Sequence, residues 1–393
     1  MQFDFETTKD QTTGRSSKWA MMEAMLGRAV PQDMIPMWIA QSDLQPAPVL
    51  LDVLDDLRAC GEFGYFDYSA FARHVAWWYE HRHGWRPNTD HIFELHGIGN
   101  AVGVTLQALT DPGDGIIVFS PVYHEFANKI RKNGRVMVQS PLLIDDQGLF
   151  RMDLETLETQ LTGNEKAVMF CSPHNPAGRV WEAAEIQALS AFCARHDLIL
   201  ISDEIHMDLA FPGHTHLPTA LHAPDSLPKL VVMSAASKTF DIAGLRTGYV
   251  IIPDDDLRAR FAALYAALDI QPNRLGADLT CAAYTPQGAA WVDAMVQLID
   301  GNRAALCAGM NAIPGVQAMP MQSTFLSWVD FSGTGMSDAD IRSRLYDNAR
   351  VLPTPGDGLG IGGALHHRFN VATTRAVVDE AVARVQAAFA DLQ

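Results

Sequence analysis

The sequence is poor in basic side chains and has no long apolar run, and both features exclude classes of protein. Its 393 residues carry 29 Lys and Arg against 46 Asp and Glu, a net charge of −17. Such a balance argues against a nucleic-acid surface or an anionic membrane as partner. No apolar run approaches the roughly 18 residues that span a bilayer, and residues 1–5 lack a signal-peptide pattern. We therefore expect a soluble cytoplasmic protein that binds neither nucleic acid nor membrane.

Cysteines are few and show no ligand spacing. The five are odd in number and none forms a C-x-x-C pair, which argues against a disulfide framework and for a reducing compartment. The histidines at 214, 216 and 222 lie in a loop-like stretch without a carboxylate or thiol at metal-ligand spacing. We expect no metal site.

Five short apolar runs, by contrast, predict a buried sheet. They lack the polar alternation of a half-exposed strand, as expected where helices cover both faces, and lie at 115–119, 167–171, 198–201, 230–233 and 249–252. An amphipathic stretch at 185–196 separates two of them and predicts a crossover helix. We therefore predict an α/β fold: a large domain at 46–284 with a mostly parallel sheet covered by helices, and a smaller α+β C-terminal domain at 285–393. Residues 1–45 would form an N-terminal arm and part of the small domain.

Chemically active side chains follow four of these runs. Because ligands bind beyond the carboxyl ends of parallel strands, four different groups should converge there: Tyr123, Asn175, Asp203 and Lys238. A desolvated lysine can form a Schiff base, and an aspartate can hold a pyridinium nitrogen protonated. Arg246 could clamp a phosphate. The set predicts a site for pyridoxal 5′-phosphate (PLP).

Each residue also has an ordinary interpretation. Lys238 alone would be an exposed lysine, Asp203 a helix N-cap and Asn175 a turn residue. Tyr123 and His206 alone would be buried structural side chains. Their common position at strand ends favours the functional interpretation.

The motifs resemble a known family. The pattern Asn175-Pro176-x-Gly178, then Asp203, Ser237-Lys238 and Arg246, resembles the aminotransferase class I/II family of fold-type-I PLP enzymes. The stretches 36–40, 63–65, 173–181, 202–206 and 237–245 further resemble the MalY/PatB group of cystathionine β-lyase-like carbon–sulfur lyases, and 368–370 matches its R-x-N.

This resemblance implies roles for the cofactor-binding residues. Lys238 would bind the cofactor covalently and move protons, with Ser237 directly before it. Around the cofactor ring, Asp203 would pair with the pyridine nitrogen, Asn175 and His206 would lie at the phenolic oxygen, and Tyr123 would stack. The phosphate would meet Arg246 and the backbone of Gly99 and Asn100, at the start of an amphipathic stretch that ends at Leu109.

The resemblance also implies a substrate site and a dimer. Arg368 would hold the α-carboxylate of an amino acid, assisted by Asn175 and by backbone near Ala40. Tyr65 would reach the phosphate in the partner subunit's site, so we expect a homodimer with shared active sites.

Three departures from the lyase group leave the reaction open. Asp241 replaces a usual Asn, residues 41–44 replace D-M-D-F, and Arg246 is typical of aminotransferases. The first hypothesis is a β-lyase that cleaves L-cystathionine or related cysteine S-conjugates to pyruvate, ammonia and a thiol. The alternative is an aminotransferase. A non-catalytic regulator or scaffold is a third possibility, which the intact Lys238 and Asp203 disfavour.

Overall fold

The computed structural model describes residues 3–10 and 16–392. The strands, in chain order, are β1 Ile35–Met37, β2 Ile92–Leu95, β3 Gly115–Ser120, β4 Val136–Pro141, β5 Leu143–Ile144, β6 Phe150–Arg151, β7 Glu165–Cys171, β8 Ile199–Asp203, β9 Leu230–Ser234, β10 Gly248–Ile251, β11 Gln317–Ala318, β12 Leu326–Asp330, β13 Val351–Pro355 and β14 His366–Asn370. The helices are α1 Ser17–Ala20, α2 Met22–Leu26, α3 Pro48–Cys60, α4 Ser69–His83, α5 Ile98–Leu109, α6 His124–Lys132, α7 Leu154–Gln160, α8 Ala183–Arg195, α9 Thr219–His222, α10 Asp255–Ala267, α11 Arg274–Ala283, α12 Pro286–Asn311, α13 Asp338–Ser343 and α14 Arg375–Ala388.

A seven-stranded sheet forms the centre of the large unit. Its order is β2-β10-β9-β8-β7-β3-β4, and the pairs from β9 through β8, β7 and β3 to β4 are parallel. All five apolar runs are strands of this sheet, and α8 lies between β7 and β8 as predicted. The last run, β10, pairs antiparallel with both neighbours. The predicted fold class, an α/β protein with a mostly parallel sheet, is confirmed.

Helices cover both faces of this sheet because its strands are apolar on both sides. In β3, Ile116 and Val118 pack in one core cluster with the helix α5, whereas Ile117 and Phe119 pack in a second cluster. Successive side chains of a strand point to opposite faces, so one apolar run supplies both cores. The carboxyl edge of the sheet is thus framed by rigid, buried strands.

A second, five-stranded sheet combines the C-terminal part with one N-terminal strand. Its order is β1-β13-β14-β12-β11, and β1 pairs parallel with β13. The chain after β1 runs through residues 38–44 to the carboxyl edge of the large sheet. The domain boundaries at 45 and 284 stay a prediction. Within residues 3–10 and 16–392, no helix is long and apolar enough to cross a membrane.

Candidate active site

Lys238 lies in the turn at 235–240 that follows β9. Its Nζ donates a hydrogen bond to the Ala40 carbonyl oxygen at 2.8 Å, which joins this turn to the segment after β1. Burial lowers the pKa of Lys238 to about 8, with Asp241 opposing that shift and Arg368 adding to it. A buried lysine of this pKa is partly neutral near pH 8 and can act as a nucleophile or base.

Asp203 is the last residue of β8 and faces the same region. It is 3% exposed, and its Oδ1 accepts a hydrogen bond from the Ile205 amide at 3.0 Å. Burial raises the pKa of Asp203 to about 7, which the Lys238 charge opposes. A cation placed beside this carboxyl would favour its ionised form.

Asn175 and Arg368 come from different sheets and meet in the site. Arg368, on β14, donates from Nη1 to Asn175 Oδ1 at 2.9 Å and from Nη2 to the Trp38 oxygen at 3.2 Å. Its Nε is buried and has no hydrogen-bond partner among the described residues. Burial lowers the pKa of this guanidinium to about 10. A buried cation with an unused donor fits an incoming carboxylate.

The loop that carries Asn175 depends on a glycine. Gly178 has φ +64°, and a Cβ there would lie 2.4 Å from the Ser323 carbonyl oxygen. Its amide donates to the His174 oxygen at 2.8 Å and closes the turn around Asn175. A side chain at 178 would therefore displace the asparagine.

Tyr123 and His206 flank the site. Burial raises the pKa of Tyr123 to about 12, and the fields of Arg368, Asp203 and Arg246 all reach its hydroxyl. His206 is 2% exposed, and its Nδ1 has no partner in the part of the chain that the structure describes. Burial, with Lys238 and Arg368 nearby, lowers the pKa of His206 to about 3, so the ring is neutral.

The start of α5 forms an anion-binding corner. Gly97, with φ +82°, precedes the helix, and the Asn100 amide donates back to the Gly97 oxygen at 3.1 Å. The first-turn amides that the helix itself cannot satisfy are therefore those of Ile98 and Gly99. Arg246 adjoins this corner, because its Cα would lie 3.8 Å from a Cβ built on Gly97.

Lys129 is a cation of this corner that the sequence did not indicate. A Cβ on Gly99 would lie 3.2 Å from Lys129 Cε and 3.7 Å from its Nζ. The side chain comes from α6 and is paired with Glu125 at 3.3 Å. Only its position in the fold brings it to α5.

The structure places the two remaining predicted site residues, Ser237 and Tyr65, in different surroundings. Ser237 lies directly before Lys238 and is 9% exposed. Tyr65 is fully exposed in the loop between α3 and α4, so its own chain does not bring it into the site. Its contact with a partner subunit stays a prediction.

The fold and this edge of the sheet define a class, the fold-type-I enzymes, in which a lysine beyond a parallel strand works beside a buried acid. Within that class, the sequence model of the aminotransferase class I and II family matches residues 37–385, and the chain belongs to this family. The resemblance predicted from the motifs is confirmed.

Individual relatives align over nearly the whole chain. Cystathionine beta-lyase PatB of Bacillus subtilis (strain 168) is 33% identical over 393 residues, which cover 98% of this chain and 99% of PatB. The crystal structure of cystalysin from Treponema denticola, which contains a pyridoxal 5′-phosphate cofactor, has a TM-score of 0.94 and 31% identity and covers 100% of both chains. The PLP-bound C-S lyase from Staphylococcus hominis has a TM-score of 0.88 and 26% identity, with 99% of each chain covered.

Proposed function

We propose that this protein is a PLP-dependent carbon–sulfur β-lyase that acts on L-cystathionine or a related cysteine S-conjugate. The observation that carries the proposal is the desolvated Lys238 amine opposite the buried Asp203 carboxyl, with pKa values of about 8 and about 7. The full-length similarity to PatB and to two PLP-containing enzymes supports the cofactor and the reaction.

The residues present fit this cofactor. Its aldehyde would meet Lys238, its pyridine nitrogen Asp203, and its phosphate the start of α5 with Arg246 and Lys129. The unused Arg368 Nε and His206 Nδ1 are buried donors or acceptors that a bound ligand would satisfy. When bound, the cofactor supplies a sink for the electron pair left at the substrate Cα.

Side chains of the protein have separate roles in the reaction. Arg368 binds and orients the substrate carboxylate, with Asn175 fixing the guanidinium by its 2.9 Å hydrogen bond. Lys238 would remove the proton from the substrate Cα, and its lowered pKa leaves the amine free to accept it. Asp203, ionised by a neighbouring cation, would hold positive charge on the ring nitrogen of a bound cofactor.

The outcome depends on the group at the substrate Cβ. With sulfur there, loss of the Cα proton is followed by cleavage of the Cβ–S bond, and the sulfur leaves as a thiol after gaining a proton. Hydrolysis of the remaining three-carbon fragment by one water gives pyruvate and ammonia. L-Cystathionine would thus give homocysteine, pyruvate and ammonia in equal amounts.

The test is incubation of the purified holoenzyme with L-cystathionine and with S-methyl-L-cysteine. We expect thiol and pyruvate to accumulate in a one-to-one ratio, whereas L-alanine, without a leaving group at Cβ, gives neither thiol nor pyruvate in excess of enzyme. Absence of thiol and pyruvate from both sulfur substrates would contradict the lyase.

An aminotransferase is the second candidate. It is favoured by Arg246 beside the anion-binding corner at the start of α5 and by the family to which the chain belongs. A single-turnover experiment separates the two. An aminotransferase mixed with an amino acid alone gives one equivalent of keto acid per site, without thiol, and then stops until a second keto acid is added. Continued pyruvate release from a cysteine conjugate indicates the lyase.

We further propose a homodimer located in the cytoplasm. The exposed aromatic side chains of the 61–68 loop support the dimer, since Phe63 and Tyr65 are 77% and 110% exposed. Sedimentation of the holoenzyme tests the dimer, and an active monomer would contradict a shared site.

The five free cysteines support the cytoplasmic location, because free thiols are typical of a reducing compartment. Cell fractionation tests the location.

A further inference from the structure

The N-terminal arm, residues 3–10, lies against the segment that leads into the active site. The Lys9 amide donates to the Asp43 carbonyl oxygen at 2.8 Å, and Thr8 forms an isolated antiparallel bridge with Leu44. The arm therefore adds a short strand-like contact to residues 43–44. Its position is fixed by backbone hydrogen bonds and does not depend on side chains alone.

Asp241 links this arm to the turn of Lys238. It lies three residues after Lys238, with φ +56°, a left-handed conformation that Asp and Asn adopt more readily than other side chains. Its Oδ1 accepts a hydrogen bond from the Ser42 amide at 2.9 Å, and its Oδ2 forms an ion pair with Lys9 Nζ. One carboxylate thus binds the arm and the 40–43 segment together.

The same segment supplies the hydrogen-bond acceptor of Lys238. Ala40, two residues before Ser42, accepts the Lys238 Nζ bond at 2.8 Å. A second ion pair, from Lys18 Nζ to the Asp43 oxygens at 2.7 and 2.8 Å, anchors the other end of the segment. Displacement of Asp241 from Ser42 would therefore move the carbonyl that holds the reactive amine.

We propose that Asp241 and Lys9 are positioning residues for Lys238: the Lys9–Asp241 ion pair holds the arm, the 40–43 segment and the lysine turn in one arrangement. This inference rests on the proposed function, in that Lys238 carries the cofactor. It also assigns a role to the Asp that this chain has where the lyase group usually has Asn.

Asp241 also acts on Lys238 through its charge. Among the charged neighbours, Asp241 raises the pKa of Lys238 most, whereas burial lowers it. Among the residues that the structure describes, the charged or titratable groups around this lysine and Asp241 are Asp203 on β8, His206 after it, Arg368 on β14, and Lys9, Lys18 and Asp43 on the arm side. A change at Lys9 should therefore reach Lys238 only through Asp241.

The experiment is a pH titration of the cofactor's visible absorbance in the holoenzyme, with Asp241→Asn, Lys9→Met and the double variant. The amide side chain retains the acceptor for the Ser42 amide and tolerates the backbone conformation, so the Asp241→Asn protein should fold. Loss of a negative charge near a cation lowers its pKa, and we expect the titration midpoint of Asp241→Asn to fall by about 1 pH unit. Lys9→Met should shift the midpoint of the wild-type protein and leave that of the Asp241→Asn protein unchanged.

A matched control is Lys229→Met, which removes an exposed ion pair with Asp197 (2.6 Å) at a site remote from this network. Its midpoint should equal that of the wild type. The inference is overturned if Lys9→Met does not shift the midpoint, or shifts it equally in the Asp241→Asn background. A wild-type protein that shows no cofactor absorbance would instead contradict the proposed function, so the two failures are distinguishable.

Discussion

Two adjacent carboxylates at the end of β8 are equally buried and serve opposite purposes. Asp203 and Glu204 are 3% and 0% exposed. Asp203 faces what we call the ligand side, with Lys238, His206 and Arg368. Glu204 faces the packed side, with Asp208, His83 and His216, where every acid has several partners.

The pKa values of these two acids shift in opposite directions because their hydrogen bonds differ, although both are buried. Glu204 accepts bonds from the Thr219 amide at 2.9 Å and from His216 at 3.3 Å, and these hold its pKa below the usual value although burial acts to raise it. The Asp203 carboxylate accepts a hydrogen bond from the Ile205 amide, and burial raises its pKa to about 7. Buried acids with satisfied bonds build structure, whereas one that retains free capacity is ready to bind a ligand.

The largest expected effect is on the ligand side. Asp203→Asn removes the charge that would hold the ring nitrogen protonated, so we expect kcat to fall by about 10²–10³-fold. At pH 7.5 the cofactor-free variant should be at least as stable as the cofactor-free wild type, because a neutral amide suits a desolvated site better than an ionised carboxylate. Steady-state rates and urea unfolding at pH 7.5 measure both. A loss of stability with full activity would reverse the assignment of the two sides.

Asp203 should make the stability of the cofactor-free protein depend on pH in a predictable direction. Its pKa is higher in the folded state than the ordinary 3.8, so the cofactor-free native state binds the extra proton. Its contribution to stability therefore declines as pH rises from about 4 to about 7. The Asp203→Asn substitution removes this decline, and the variant gains on the wild type across that range.

The next effect falls on the packed side. Glu204→Gln leaves His216 and the other donors facing a neutral amide, and we expect a loss of about 2–3 kcal/mol in the free energy of unfolding. Because the pKa of Glu204 is depressed in the folded protein, this stabilisation is present above its ordinary 4.5 and is lost as pH falls through the folded value. Urea unfolding at pH 7 and pH 4 should show the difference between the two proteins shrinking at the lower pH. An unchanged difference would contradict the ionised state of Glu204.

The smallest effect concerns a more exposed cation on the ligand side. Lys129→Met should weaken PLP binding by about 5-fold, because a partly solvated charge contributes roughly 1 kcal/mol. Dialysis against graded PLP, followed by absorbance, measures the affinity. Lys132→Met, on the same helix but facing solvent, is the matched control and should bind as the wild type does. If both variants bind PLP with equal affinity, Lys129 does not contribute to binding at the anion-binding corner.

Much of the fold could be predicted because the central strands are apolar on both faces. The runs that became β3, β7, β8, β9 and β10 are recognisable in the sequence without their neighbours. The edge strand β2 has two half-buried positions and β4 has an exposed position at each end, so neither shows that pattern. The antiparallel direction of β10 is fixed by pairing with β9 and β2, which no local pattern records.

The candidate site likewise contains residues that could be predicted from the sequence and residues that could not. Lys238, Asp203 and Asn175 could be predicted because strand ends converge on one edge of a sheet. Strand ends alone do not distinguish Asp203 from the adjacent Glu204. The family motifs singled out Asp203, and the alternation of side chains at the end of β8 is the structural reason that it faces this edge. The Lys9–Asp241 pair joins residues 232 positions apart, so neither spacing nor composition indicates it.

The central claim is that PLP forms an imine with the ε-amine of Lys238. The most direct test is borohydride reduction of the holoenzyme followed by peptide mass analysis, with Lys238→Ala as the control. We expect loss of the visible absorbance and one reduced pyridoxyl-phosphate adduct on the peptide that contains Lys238, absent from the variant. A protein that stays colourless with added PLP, or an adduct on another lysine, would contradict it.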